Sequence, residues 1–94
     1  MNGFIVYILK CFDDSYYVGH TDNIDVRMSQ HQQGFFSGYT ATRLPVVLIF
    51  AENCNTRDEA FILERQIKGW SRKKKEALIH GDFKLLSKYA NTNY

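Results

Sequence analysis

Runs of apolar residues broken by short polar stretches set out the elements of this chain. Residues 4–11 (FIVYILKC) are a near-continuous series of β-branched and aromatic side chains. The series is too short for a helix and is followed by the turn-prone Asp13, Asp14 and Ser15, which predicts a buried strand. Residues 16–21 (YYVGHT) read as a second strand, and the two as a β-hairpin. Asp22 is expected to cap a helix over about residues 23–33, with Asp25 favourable in its first turn and Gly34 stopping it in the left-handed conformation. Residues 34–44 (GFFSGYTATRL) predict an ordered loop that carries aromatics over the surface. Pro45 leads into a third strand over about 46–52. Thr56 and Glu59 form a capping box for a helix running to Lys68 before Gly69. Ser71 is expected to cap another, ending near His80 and Gly81, and Asp82 a short last one. The order ββαβααα contains no repeat, linker or low-complexity tract. It predicts one α+β domain over residues 1–94, a three-stranded mixed or antiparallel sheet flanked by helices.

Composition narrows this picture. With 94 residues, 45% hydrophobic, 15% aromatic and 23% charged, the chain can build one small core rich in Tyr and Phe, and neither a second domain nor a disordered chain fits. No apolar run approaches the ~18–20 residues that span a bilayer, and the N-terminus opens into a strand rather than a signal peptide, so no membrane association and a cytoplasmic location are expected. Cys11 and Cys54 are too few for a disulfide framework and have no partners at zinc-ligand spacing. His20, His31 and His80 make no zincin-type pair. The formal net charge of +2 is uneven: residues 1–47 hold 3 Lys or Arg against 4 Asp or Glu, and residues 48–94 hold 9 against 6.

Three polar groups fall on apolar helix faces. At ~100° per residue, Arg27 and His31 share a face with Ile24 and Met28, and Glu64 shares one with Ala60 and Ile67. A guanidinium, an imidazole and a carboxylate turned toward one sheet are costly to bury unless they pair or line a wet cleft. At this point two arrangements stay open. Either the three converge on a site, or Glu64 pairs with Lys68 or Arg27 while His31 is a rim residue satisfied by backbone.

The hairpin carries the most specific pattern. VYILKC followed by Tyr17-Val18-Gly19 resembles the paired motif of the GIY-YIG nuclease superfamily, and residues 21–31 (TDNIDVRMSQH) resemble the family's helix with an Arg eight residues beyond the motif Gly and a His four further. Residues 56–71 (TRDEAFILERQIKGWS) resemble the helix bearing the family's metal-binding Glu. The likeness spans about residues 4–78 and is nearest to the small stand-alone bacterial members, the UPF0213-like group. Ile5 stands where the family name has Gly.

The resemblance implies a divalent-metal-dependent endonuclease that hydrolyses phosphodiester bonds in DNA, with a place in DNA repair or recombination. It assigns Tyr7, Tyr17, Gly19, Arg27, His31 and Glu64 to the catalytic site. Glu64 would hold a single Mg²⁺ or Mn²⁺, since a hard carboxylate suits an ion that keeps most of its waters. Arg27 would match phosphate oxygens with its planar fork of donors. Tyr7 would be the general base, favoured as phenolate by the metal and Arg27, and Tyr17 would hydrogen-bond water or phosphate. His31 would orient a Tyr or touch the phosphate, and Gly19 would let the backbone approach the substrate. If Tyr7 and Tyr17 share a site, paired residue numbers across the hairpin must sum to an even value.

Residues 68–75 (KGWSRKKK) hold five basic residues with Trp70 among them. Beside a phosphodiesterase site this run predicts DNA contacts from Arg72, Lys73, Lys74 and Lys75, with Arg43 and Tyr39 adding a phosphate contact and a stacking surface. Two readings without catalysis remain beside the enzyme: a nucleic-acid-binding module on the same fold, and an interaction module whose Phe35, Phe36 and Tyr39 dock a targeting protein.

Overall fold

The computed structural model describes residues 3–35 and 38–81. The two strands of the hairpin, β1 (Phe4–Lys10) and β2 (Tyr16–Thr21), are followed by α1 (Ile24–Gln32) and a short 3₁₀ turn, Tyr39–Thr42, within the long loop. β3 (Val47–Cys54), α2 (Arg57–Lys68) and α3 (Arg72–Ile79) complete the order. The helix expected from Asp82 lies outside the described residues. The sheet is wholly antiparallel with order β2-β1-β3, so the most apolar strand takes the centre and the fold is the expected α+β one. Among the described residues no helix is long and apolar enough to cross a membrane.

Alternation along β1 builds two cores. Val6 and Ile8 join Val18 beneath Ala60 and Ile67 of α2, while Tyr7 and Leu9 pack with Cys11 and Val46 on the opposite face, where Ile24 and Met28 of α1 lie. Each fully buried aliphatic side chain contributes about 1.5–3 kcal/mol relative to exposure, so a central strand buried from Val6 to Leu9 anchors both layers. The hairpin register pairs Tyr7 with Gly19 and Leu9 with Tyr17. Paired numbers therefore sum to an even value, and Tyr7 and Tyr17 share a face as the site requires.

Local signals place the helices. Asn23, one residue later than expected, caps α1 by accepting from the Val26 amide, and Gly34 takes a φ of +70° just beyond its end. Thr56 Oγ1 accepts from the Glu59 amide, and Glu59 reaches back to the Asn55 amide rather than to that of Thr56. Ser71 caps α3 through the Lys74 amide. A bulge between Ile8 and Leu9 in the pairing with β3 shifts the register by one residue, leaving Ile49 unpaired between Leu48 and Phe50.

Candidate active site

Five of the six catalytic candidates, all but Glu64, meet on the α1 side of the hairpin. Tyr7 is fully buried, and its hydroxyl lies 3.0 Å from His31 Nε2. His31 Nδ1 is 2.9 Å from Thr40 Oγ1 in the 3₁₀ turn. His31 is thus buried and bonded to two side chains rather than standing at a rim. A neutral imidazole has one donor and one acceptor nitrogen, so Tyr7 and Thr40 must take opposite roles toward it. The Tyr17 ring meets His31 edge-on at 5.2 Å and Tyr7 at 6.4 Å between centroids. Arg27 reaches from α1 to the edge of β2, where Nη1 lies 3.4 Å from the His20 carbonyl oxygen, and its guanidinium also hydrogen-bonds the Tyr7 phenol.

At Gly19, where a close approach of substrate was expected, the structure shows a steric requirement of the two tyrosines. A Cβ there would lie 2.7 Å from the Tyr7 hydroxyl oxygen, 2.8 Å from Tyr7 Cζ and 3.2 Å from Tyr17 Cε2. The absent side chain is the space into which the tyrosine rings fit.

Glu64 stands on the other face of the sheet, with α2, and the site is therefore arranged around the β2 edge rather than on one open surface. Its Oε1 is hydrogen-bonded to His20 Nδ1, and its Oε2 lies 2.7 Å from Lys68 Nζ. The pairing with Lys68 is one of the two arrangements the sequence left open. His20 is a site residue missed by sequence reasoning. Its even number places it on the Val6 and Val18 face, which is the signal that could have found it. Glu64 and Lys68 face a cleft of about 470 Å³ lined by α2 and its C-cap alone, through Phe61, Glu64, Arg65, Lys68 and Gly69; Tyr7, Tyr17, Arg27 and His31 are not part of its lining.

Protonation follows from these surroundings. Burial, with Tyr17 adding to it, pushes the Tyr7 phenol up to about 12, against the opposing hydrogen bond and charge of Arg27; the Glu64 charge adds to the upward push. The isolated site therefore does not favour the phenolate. Burial and the Arg27 charge push His31 below its usual value and keep it neutral near pH 7. Burial raises Glu64, but hydrogen bonds and charge from Lys68 and His20 outweigh it and hold the carboxyl below its ordinary value. The His31 shift has a sign in stability. Its folded pKa lies below that of the unfolded chain, ~6.5, so on acidification the unfolded state takes up the proton first. Stability is expected to fall as pH drops below about 6.5, and His31→Gln should lose that part of the slope in urea melts followed across pH.

The basic run divides. Lys73 is exposed and Arg72 half-exposed, Arg72 tied to Glu76 and lying over the Tyr16 ring. Lys75 is partly buried, and burial beside Arg72 lowers its pKa. Lys74 is only 2% exposed, its ammonium 4.1 Å from the Trp70 ring centroid. It is packed into the α3 interface and is withdrawn from the expected phosphate contacts. Arg43 stacks 3.8 Å over the Tyr39 ring and is bound to Asp13 and the Tyr39 carbonyl. It clamps the loop to the hairpin, leaving Tyr39 41% exposed and stacked against Tyr17. Phe35 is exposed, and Phe36 lies outside the described residues.

Glu64 is the one carboxylate lining the cleft, and among the described residues no group of three or more His, Cys, Asp or Glu could hold a metal ion, so an ion on Glu64 would keep most of its waters. Glu64 offers an ionised oxygen ligand on a solvent-open cleft, and an ammonium, a cation of the flexible and half-exposed Lys68, already occupies one of its oxygens. A family model described as the GIY-YIG catalytic domain matches residues 3–77. A UPF0213 protein of Staphylococcus haemolyticus is 43% identical over 74 residues, covering 79% of this chain and 90% of the relative. The UPF0213 protein YazA of Bacillus subtilis is 42% identical over 78 residues, covering 83% and 79%. Among solution structures, a UPF0213 protein from Bacillus halodurans shares 39% identity at a TM-score of 0.54, covering 85% of this chain and 84% of that one. A protein from E. faecalis shares 33% identity at a TM-score of 0.61, covering 88% of both.

Proposed function

This chain belongs to the GIY-YIG catalytic domain family, a nuclease-type family, and from that premise we propose that it hydrolyses phosphodiester bonds in DNA with one divalent ion held by Glu64. The observation that carries the reading is the meeting of Arg27, Tyr7 and His31 at the β2 edge, where Glu64 lies close enough for its charge to act on the Tyr7 phenol. A place in DNA repair or recombination and delivery by a targeting protein belong to the same proposal.

Mg²⁺ or Mn²⁺ on Glu64 would neutralise phosphoryl charge and cancel the upward push of the carboxylate on Tyr7. Arg27 supplies a permanent cation with a planar donor fork, able to bind a non-bridging phosphate oxygen while its charge lowers the cost of Tyr7 as a proton acceptor. A phenol at about 12 is a poor base alone. With Nε2 of neutral His31 accepting from the Tyr7 hydroxyl, and Nδ1–H donating to Thr40, Tyr7 can pass its own proton to His31 as it takes one from the attacking water. Tyr17, half-buried and against both rings, closes the aromatic wall around this hydrogen bond and orients the water.

The test is cleavage of nicked, branched and single-stranded DNA in Mg²⁺ or Mn²⁺. Tyr7→Phe is expected to lose about 10²–10⁴ in turnover, the usual range for a general base, while retaining divalent-ion binding by calorimetry. If His31 is the final acceptor, the rate stays level through neutral pH and falls only below the ordinary imidazole value of ~6.5, because burial and Arg27 hold the folded imidazole beneath it. A tenfold rise per pH unit between 7 and 9 would instead make the free phenolate the base. Cleavage by Tyr7→Phe at the rate of the unmodified chain would reject the mechanism.

A further inference from the structure

The outer face of α2 holds a feature that the catalytic reading does not use. Phe61 is 46% exposed, although the buried positions of α2 are Ala60, Glu64 and Ile67. The ring is not loose: His20 packs edge-on against it at 6.2 Å and 78°, and the Arg65 guanidinium lies 5.6 Å from its centroid. His20 is the same residue that binds Glu64. Phe61, Glu64, Arg65 and Lys68 succeed one another at helical spacing and, with Gly69, make up the lining of the cleft. Among the described residues Arg65 makes no ion pair, and Lys68 is half-exposed.

We infer that this cleft is a subsite for one unpaired nucleotide next to the bond to be cut, with its base on Phe61 and its phosphate between Arg65 and Lys68. The inference rests on the nuclease reading above and names the substrate class it would take. An aromatic face with flanking cations matches the two parts of a nucleotide, its π-surface and its anion. Because Glu64 would repel a phosphate laid directly on it, the phosphate falls to the Arg65 and Lys68 side. A base inside a duplex is covered on both faces, so only a flap, gap, frayed end or single strand can offer a face to Phe61. Stacking reads no base edge, and the subsite is therefore indifferent to sequence.

The test is binding without divalent ions, in EDTA, of a fluorescent short oligothymidylate and of a blunt duplex to the full chain. Amide NMR shifts would locate the contact. Single strands are expected to bind more tightly than the blunt duplex, with shifts centred on Phe61, Arg65, Lys68 and Gly69. Phe61→Ala should weaken single-strand binding roughly tenfold, Phe61→Leu nearly as much, and Phe61→Tyr should restore it. Arg65→Gln should flatten the slope of log affinity against log salt by about 0.7. Mn²⁺ binding to Phe61→Leu at unchanged affinity would show an intact Glu64. Equal affinity of Phe61→Leu and the unmodified chain for single strands, or shifts centred elsewhere, would overturn the subsite. If the unmodified chain cleaves DNA and these variants bind normally, the subsite alone fails. If no DNA is cut but the Phe61 effect is found, the catalytic reading fails and the subsite stands.

Discussion

Glu64→Gln is expected to abolish Mn²⁺ binding and to lower DNA cleavage at least about a hundredfold, while leaving the fold in place. The amide is almost the same size as the carboxylate, so the packing of α2 over β1 and β2 is kept. What changes is charge. Glu64 is held ionised by Lys68 and His20 despite its burial, and a neutral amide gives up both the attraction for a divalent ion and the hard anionic oxygen it requires. Losing charge-assisted hydrogen bonds at a nearly buried position costs about 1–3 kcal/mol, less than the ~5–15 kcal/mol that a domain of this kind has to lose. The amide spectrum should therefore stay dispersed, and calorimetry should show no Mn²⁺ heat. Mn²⁺ bound by Glu64→Gln with undiminished affinity would place the ion elsewhere. Lys68→Met tests the same geometry with the opposite sign: removing the ammonium from Oε2 frees a ligand oxygen, and Mn²⁺ affinity should rise.

The parts of this site that were legible in the sequence are those carried by periodicity. Two-residue alternation reduced the question of whether Tyr7 and Tyr17 share a face to the parity of the hairpin register, and that register is even. The helical period brought His31 and Glu64 to buried positions, and the helix caps needed only Thr56 and Ser71. The parts that were not legible depend on distance across the fold. Asp22 and Asn23 are equally good caps, and only the backbone path out of β2 selects Asn23. No local rule links His20 to Glu64, 44 residues away, although strand parity puts His20 on the α2 side. Thr40 sits in a loop whose path is set by packing on α1, so its bond to His31 had no pattern to announce it. Lys74 looked like one more charge in a basic run. Yet it stands three residues before Ala77 and four after Trp70, on the stripe that α3 buries, and its ammonium finds the indole face there. The bulge at Ile49 shifts the register against β3 with no glycine or proline to mark it.

Gly19→Ala is expected to be the most damaging single-methyl change in the chain. The new Cβ would stand 2.7 and 2.8 Å from the hydroxyl oxygen and Cζ of Tyr7 and 3.2 Å from Tyr17 Cε2. Tyr7 is fully buried between Leu9, His31 and the hairpin, so its ring cannot swing into solvent to make room. Over-packing of this kind costs typically ~1–3 kcal/mol, and any displacement of the phenol breaks its hydrogen bonds to His31 and Arg27. Cleavage should then fall about as far as in Tyr7→Phe, although every catalytic side chain is still present. Gly38→Ala is the control, since a Cβ there meets nothing within 4 Å, and it should match the unmodified chain in urea melts and in cleavage. Tyr7→Leu separates steric damage from loss of chemistry: with the phenol gone, the added methyl has space. Gly19→Ala should therefore cost less in the Tyr7→Leu background than alone, a coupling of about 1–3 kcal/mol for residues in contact, while cleavage stays lost. Additive costs in that cycle, or full activity of Gly19→Ala, would mean that Gly19 does not seat the Tyr7 phenol.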